Sequence, residues 1–202
     1  AADNTAVGKD ALLANTTGDQ NTAVGSNALS ANTTGRNNTA VGMTALQVDT
    51  TGKDNTAVGV GSGASITTGD QNTSLGSGAL GRSTTSDDNV AVGYLAGLNI
   101  TTGHSNVVIG SLAGDALTGG DQNVAVGRVA LTSCTTGNQN IAIGVSALEA
   151  ATTCSTSVAI GPNAGVAVTT GAKNVLIGSE AGDSITDGAN NTIVGAESDV
   201  AA

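Results

Sequence analysis

One 17-residue unit recurs along the whole chain without an insertion or a deletion. It begins with the pentapeptide Asn-Thr-Ala-Val-Gly at residues 4–8. Such a short fixed period is typical of solenoids, in which each unit packs only against its neighbours. The sequence therefore predicts a single repeat domain, residues 1–202, rather than a globular enzyme with loops of unequal length. The glycine that closes the pentapeptide recurs at Gly8, Gly25, Gly42, Gly59, Gly76, Gly93, Gly110, Gly127, Gly144, Gly161, Gly178 and Gly195.

The columns of the repeat predict the shape of one coil. Position 1, which starts coils near residues 4, 21, 38, 55, 72, 89, 106, 123, 140, 157, 174 and 191, is Asn in all coils except at Ser157. Stacked amides of this kind can form a hydrogen-bonded ladder. Positions 2 to 4 alternate as a short strand does, with positions 2 and 4 on one face and the small position 3 on the other. The invariant glycine at position 5 indicates a positive φ or a backbone too crowded for a Cβ.

A second column predicts the other side of the coil. Position 13 is Thr in every complete repeat, usually followed by Thr and Gly. This pattern favours a second short strand that runs into a turn. Together the columns predict an all-β fold, a parallel β-solenoid (β-roll or β-helix) of twelve 17-residue coils. The residues expected to hold it together are typified by the first three copies of each column: Asn4, Asn21 and Asn38; Gly8, Gly25 and Gly42; Thr16, Thr33 and Thr50.

Composition limits the core and the partners. The chain has no Trp or Phe and one Tyr, so the core is built from small aliphatic side chains and is thin. Burial within one coil is then insufficient to offset the conformational entropy of ordering it. We therefore expect a homotrimer of parallel rods, with the Ala column at position 3 as the contact face. The net charge of −10 disfavours nucleic acid and anionic membrane surfaces as partners, and no run is long enough to insert in a membrane.

The motifs at 123–127 (Asn-Val-Ala-Val-Gly) and 157–161 (Ser-Val-Ala-Ile-Gly) resemble the head repeats of YadA-like trimeric autotransporter adhesins, which are left-handed parallel β-rolls. The longer segments at 4–18 and 21–35 are similar to repeats in phage tail fibres. The period differs from that of the adhesin head repeat. The resemblance covers essentially the whole chain, and it implies a trimeric, extracellular, adhesive fibre on a virion or a bacterial surface.

Few residues are candidates for chemistry. His104 is the only histidine and occupies a turn column, so we interpret it as a solvated turn residue. Cys134 and Cys154 lie one coil plus three positions apart, which allows either a disulfide between adjacent coils or two buried free thiols. The acidic turns at 87–88 and 119–122 lack the nonapeptide of calcium β-rolls and are interpreted as solvated charge. We predict no catalytic, cofactor-binding or metal-binding residues, no cofactor and no enzymatic activity.

Three functions follow as expectations. The first is a structural shaft or head segment of a trimeric extracellular attachment fibre, with a host receptor or glycan as partner. If a receptor binds along the shaft, we expect the contact at residues 60–65 and 81–88, which depart most from the repeat. The second is a filament subunit that associates head to tail, because the repeat extends to both ends of the sequence. The third is ice binding by the threonine columns, although adjacent threonines point to opposite faces.

Overall fold

The computed structural model describes residues 2–199, and within them it contains one three-residue strand per coil and no helix. Consecutive strands pair in parallel and in register, and they form one sheet whose spatial order is the chain order. The all-β parallel solenoid is confirmed. At about 4.8 Å per coil the rod is about 57 Å long. The strands are β1 (Thr5–Val7), β2 (Thr22–Val24), β3 (Thr39–Val41), β4 (Thr56–Val58), β5 (Thr73–Leu75), β6 (Val90–Val92), β7 (Val107–Ile109), β8 (Val124–Val126), β9 (Ile141–Ile143), β10 (Val158–Ile160), β11 (Val175–Ile177) and β12 (Thr192–Val194).

The predicted second strand at the threonine pair is absent from the described residues. The amides of Thr16 and Thr17 both donate to the carbonyl of Thr33, each at 3.0 Å. A β ladder needs successive amides to reach separate carbonyls, so this shared acceptor replaces a ladder with a bend. The hydroxyl of Thr16 donates to the same carbonyl at 2.9 Å, and nine further position-13 threonines make the equivalent bond to the next coil.

The core lies on the opposite face of the sheet from the one expected. Position 3 points into the coil, where Ala23, Ala40 and Ala57 are fully buried. Its prediction as a contact face between chains is therefore wrong. A small side chain fits where position 3 faces the buried Ala and Leu of positions 8 and 9, whereas the larger Val108 and Leu176 are buried at position 3 of coils that have glycine at position 9. Positions 2 and 4 point outward instead.

The asparagine column lines one corner of the core. The Oδ1 atom of Asn21 accepts the backbone N–H of Asn38 at 2.9 Å, and the Nδ2 atom of Asn38 donates to the carbonyl of Gly52 at 2.7 Å. Each amide thus links adjacent coils and also ties the start of a coil to its last turn. These buried backbone groups would otherwise lack partners, because the chain turns there.

The coil closes through backbone corners that favour glycine. At Gly25 φ is +141°, and an added Cβ would lie 2.4 Å from the carbonyl oxygen of Gly42. Both reasons predicted for the invariant glycine therefore hold. Positions 7, 9 and 17 are left-handed even where they are not glycine, as at Asn27, Leu29 and Asn37, with φ of 58°, 49° and 59°. Asn accepts this conformation readily, whereas in a leucine it is sterically strained.

Positions 9 and 12 share one buried volume. Where position 9 is Leu, position 12 is small or polar; where position 9 is Gly, position 12 is a large aliphatic. At Gly97, an added Cβ would lie 2.8 Å from Cδ1 of Ile100, which occupies the space. The rule holds in all eleven complete coils, and it is visible in the sequence as a paired alternation. The glycine coils and their partners are Gly63 with Ile66, Gly97 with Ile100, Gly114 with Leu117, Gly165 with Val168 and Gly182 with Ile185.

Candidate functional site: the outward face of the sheet

The outward face of the sheet consists of the position-2 and position-4 side chains of the twelve strands, and we call it the strand face. Position 4 is Val, Leu or Ile in every coil, and neither column contains a charged residue. Ile143, Ile160 and Ile177 are each 37% exposed although other position-4 side chains flank them on both sides. The strand face is therefore a continuous aliphatic strip that the chain itself leaves uncovered.

The strip changes character along the rod. Position 2 is Thr in the first five coils and Val or Ile in the next six, from Val90 to Val175. The neighbouring position-6 column widens the apolar area at a few coils, with Met43, Val60 and Tyr94 exposed. The C-terminal half of the strand face is thus the more hydrophobic half. Apolar surface that is continuous over many residues is typical of an interaction site rather than of free surface.

The turn that precedes each strand is polar and forms its own ladder. At position 16, a side-chain acceptor in one coil receives the backbone N–H of the preceding coil: Asp70 Oδ1 accepts from Lys53 at 2.7 Å, and Asp121 Oδ1 accepts from His104 at 2.8 Å. From the sequence, His104 and the acidic turns at 87–88 and 119–122 are interpreted as solvated, yet Asp87 and Asp121 also accept hydrogen bonds from the preceding coil. The sequence signal for this ladder is that Asp, His, Asn and Ser, all short acceptors, follow one another in this column from Asp70 to Ser155.

His104 lies within this ladder. Its side chain is 46% exposed, and its Nδ1 atom accepts the backbone N–H of Asp87 at 3.0 Å. In the neutral ring the proton is then on Nε2. The Asp87 carboxylate lies 3.6 Å from Nδ1. No group of three or more His, Cys, Asp or Glu side chains able to hold a metal ion occurs within residues 2–199.

A shallow groove of about 470 Å³ runs along the first four coils beside this turn. Its two acidic and two basic side chains balance, so the groove has no net charge preference. Hydroxyl groups make up the rest of its polar lining. The groove is bordered by Thr17, Thr34, Thr51, Thr68, Asp19, Arg36, Lys53 and Asp70.

The two thiols are free and buried, which is one of the two alternatives left open by the sequence. Cys134 takes position 12 of its coil and Cys154 takes position 15 of the next. Burial raises the pKa of Cys154 to about 12, with a smaller contribution from the nearby Cys134, and burial also raises the pKa of Cys134. A thiol with a raised pKa is a poor nucleophile, so neither cysteine is suited to covalent chemistry.

The coils that depart most from the repeat differ from the other coils mainly in their buried side chains. Ser62 and Ser74 replace two core alanines, and the Ser62 hydroxyl donates to the carbonyl of Ser74 at 2.8 Å. Ser83 and Ser86, in the next coil, also hydrogen-bond to each other and are buried. In the segments 60–65 and 81–88 the exposed residues are Val60, Arg82, Thr85 and Asp88.

Across residues 2–199, no helix has the length and hydrophobicity that crossing a membrane requires. Comparison with known proteins finds no matching protein family, no matching curated protein and no matching solved structure.

Proposed function

We propose that this chain is a shaft or head segment of a trimeric extracellular attachment fibre, on a phage tail or on a bacterial surface. The observation that carries the proposal is the strand face: a continuous, uncharged strip with an aliphatic side chain at position 4 of every coil. A rod stiffened by in-register coils is suited to holding an attachment site at a distance from the surface that carries the fibre. The role is structural and not enzymatic.

The size of the strand face supports self-association. Twelve three-residue strands span roughly 10 Å by 57 Å, so two chains would cover on the order of 1,100 Å² in total. This area lies at the lower end of specific interfaces, and a third copy increases the burial per chain. The uniform 17-residue spacing lets identical rods pair along their whole length, because every rung meets the same rung of its partner.

Native mass measurement and sedimentation test the trimer. We expect the full chain to sediment as a trimer. Ile143→Lys should dissociate the trimer, because the three introduced ammonium groups would be desolvated next to one another at the same coil. Thr136→Lys adds the same charge on an exposed turn of the preceding coil and serves as the control. A monomeric wild-type chain, or equal dissociation by both variants, would contradict the proposal.

Electron microscopy separates this function from the head-to-tail filament. Rods of one fixed length support the fibre segment, whereas threads of indefinite length support the filament. A receptor or glycan would be contacted on polar surface that the trimer leaves free, such as the groove of the first four coils. Glycan-array binding that Thr34→Ala and Thr51→Ala weaken would locate the contact there.

Ice binding is the second candidate, and one observation favours it. In the first five coils the strand face presents a column of Thr beside a column of aliphatic side chains at a regular spacing. The position-13 threonines are less suited, since their hydroxyls are used between coils. Thermal hysteresis that Thr39→Lys abolishes would favour this function, and its absence at high protein concentration would exclude it.

A further inference from the structure

A short polar column interrupts the aliphatic core in the first three coils. Position 12 is Asn15, Asn32 and Asp49 in turn, and Ile66 follows it in the fourth coil. Asn32, Asp49 and Ile66 are fully buried. Asp49 is therefore enclosed between an amide on one side and an aliphatic side chain on the other, in surroundings that disfavour a negative charge.

The three side chains adopt the same orientation. Their Oδ1 atoms lie 2.5, 2.4 and 2.6 Å from the points where a Cβ would lie on Gly18, Gly35 and Gly52 respectively. The remaining atom of each side chain therefore takes an equivalent place. In Asn32 that atom is Nδ2, and it donates to Asn15 Oδ1 at 3.1 Å.

In Asp49 the equivalent atom is Oδ2, which the repeat directs toward Asn32 Oδ1. These two oxygens are the buried side-chain N and O atoms of residues 2–199 that have no hydrogen-bond partner. Two facing acceptors repel each other, whereas one proton between them would satisfy both. The other carboxylate oxygen, Oδ1, already accepts the backbone N–H of Gly52 at 2.8 Å.

We propose that Asp49 retains a proton into the neutral pH range and donates it from Oδ2 to Asn32 Oδ1, so that the N-terminal coils form a pH-sensitive element. The proton comes from solvent when the coil closes and returns to it when Asp49 ionises. Loss of the proton restores the contact between two acceptors and loosens the stack of the second and third coils.

The charges around Asp49 agree with this assignment. The pKa of the Asp49 carboxyl is raised to about 7. Burial is the main cause and the negative charge of Asp70 adds to it, while the Gly52 N–H and the Asn55 amide act in the opposite direction and lower the pKa. Arg36, Lys53 and Asp54 belong to the same coils but lie at the surface turn, where none of them is buried. No cation is therefore placed to stabilise the ionised form.

The sign of the pH effect follows from linkage. Because the pKa in the folded state lies above the value of about 3.9 expected for an unfolded chain, the stabilisation is complete below that value and is lost as the pH rises through about 7. Three pH units of difference correspond to a change of about a thousandfold in the folding equilibrium of the region that opens with Asp49.

Carboxyl carbon NMR of the full-length labelled chain tests the proposal directly. We expect one aspartate resonance, assigned by its absence in Asp49→Asn, to titrate with a midpoint about three units above that of the exposed aspartates. A titration midpoint near pH 4 would overturn the proposal. In this measurement Asp49→Asn is used only to assign the resonance, so the result does not depend on the stability of the variant.

Amide hydrogen exchange of the second and third coils provides the matched comparison. Asp49→Asn continues the Asn column and should remove the faster exchange that wild type shows above pH 7, after correction for the intrinsic pH dependence of exchange. Asp54→Asn removes an equal charge from an exposed turn and should leave that exchange as in wild type. Equal effects of the two variants would overturn the proposal.

Discussion

At the scale of the residue, most polar side chains buried in the interior hydrogen-bond to one another or to the backbone. Ser62 and Ser74 show this, since their hydroxyls lie 2.8 Å apart and are buried where most coils have two alanines. The pair divides the aliphatic core into two clusters, one on each side of it. A single substitution and a paired substitution should therefore have different consequences.

We expect Ser62→Ala to destabilise the protein by about 1–2 kcal/mol, because it removes both hydrogen bonds from Ser62 to Ser74 and leaves the buried Ser74 hydroxyl with only its long bond to the carbonyl of Thr56, at 3.4 Å. Adding Ser74→Ala should restore the stability lost in Ser62→Ala, or raise it above that of wild type, since the two positions then match the alanines of the other coils. Denaturant unfolding of the two variants measures the difference. A double variant less stable than the single one would show that the serines contribute more than mutual satisfaction.

The cysteines supply a second prediction at this scale. Because burial raises the pKa of both thiols, native protein at pH 8 should react with iodoacetamide far more slowly than a free thiol does. Both should react at once in denaturant without a reductant. Mass spectrometry counts the alkylated sites, and thiols that react in denaturant only after reduction would reveal a disulfide.

At the scale of the coil, two positions act as one packing unit. The left-handed leucine of position 9 and the residue at position 12 fill the same space, so that a coil is either a leucine coil or a glycine coil. Leu148, with φ of 50°, and Ala151 form a leucine coil, while the next coil has Gly165 and Val168.

Leu148→Gly should cost about 2–5 kcal/mol through lost burial, and Ala151→Val should cost about 1–3 kcal/mol through overpacking. The double variant should be much less destabilised than the sum, because valine refills the volume that the leucine vacates and glycine relieves the strained φ. A double-mutant cycle by denaturant unfolding measures the coupling. Additive costs would show that the two positions do not share one volume.

The corner after each strand gives a further test at this scale. Gly144→Ala should destabilise by at least about 2 kcal/mol, because its φ is +136° and the new Cβ would lie 2.4 Å from the carbonyl oxygen of Gly161. Gly119→Ala is the control: its nearest neighbour would be 3.5 Å away, and the change should stabilise by about 0.4–1 kcal/mol. Thermal unfolding ranks the two, and similar melting temperatures would contradict the argument.

At the scale of the whole molecule, stability is a sum of similar coils and the interfaces between them. Removal of residues 21–37 deletes one coil and joins two that have the same buried Ala and Leu columns. This variant should fold into a rod shorter by about 4.8 Å, measurable by small-angle scattering. Removal of residues 21–36 leaves one residue too many and should misplace the inward columns where the coils join. Equal stability of both deletions would argue against in-register stacking.

The sequence alone determined the repeat length, the parallel in-register stacking and the glycine corners, because each depends on a constraint that recurs identically in every coil. For example, a Cβ at Gly25 would clash with the next coil, and the same restriction makes this position glycine in every repeat. The pairing of positions 9 and 12 was also present in the sequence, as a correlation between two columns rather than a conserved residue.

Only the tertiary structure decided which side of the strand faces inward. The alternation of side chains along the strand places position 3 on one face and positions 2 and 4 on the other, but it does not determine which face is buried. Hydrophobicity alone would predict burial of the larger Val and Ile side chains of positions 2 and 4. In most coils the side chains of positions 8, 9 and 12 already fill the interior, so alanine is enclosed at position 3 and the larger aliphatic side chains of positions 2 and 4 remain outside. Position 3 encloses a larger side chain at Val108 and Leu176, in coils that have glycine at position 9. The Thr-Thr bend and the two unpartnered oxygens of Asn32 and Asp49 likewise depend on contacts between coils that no single repeat encodes.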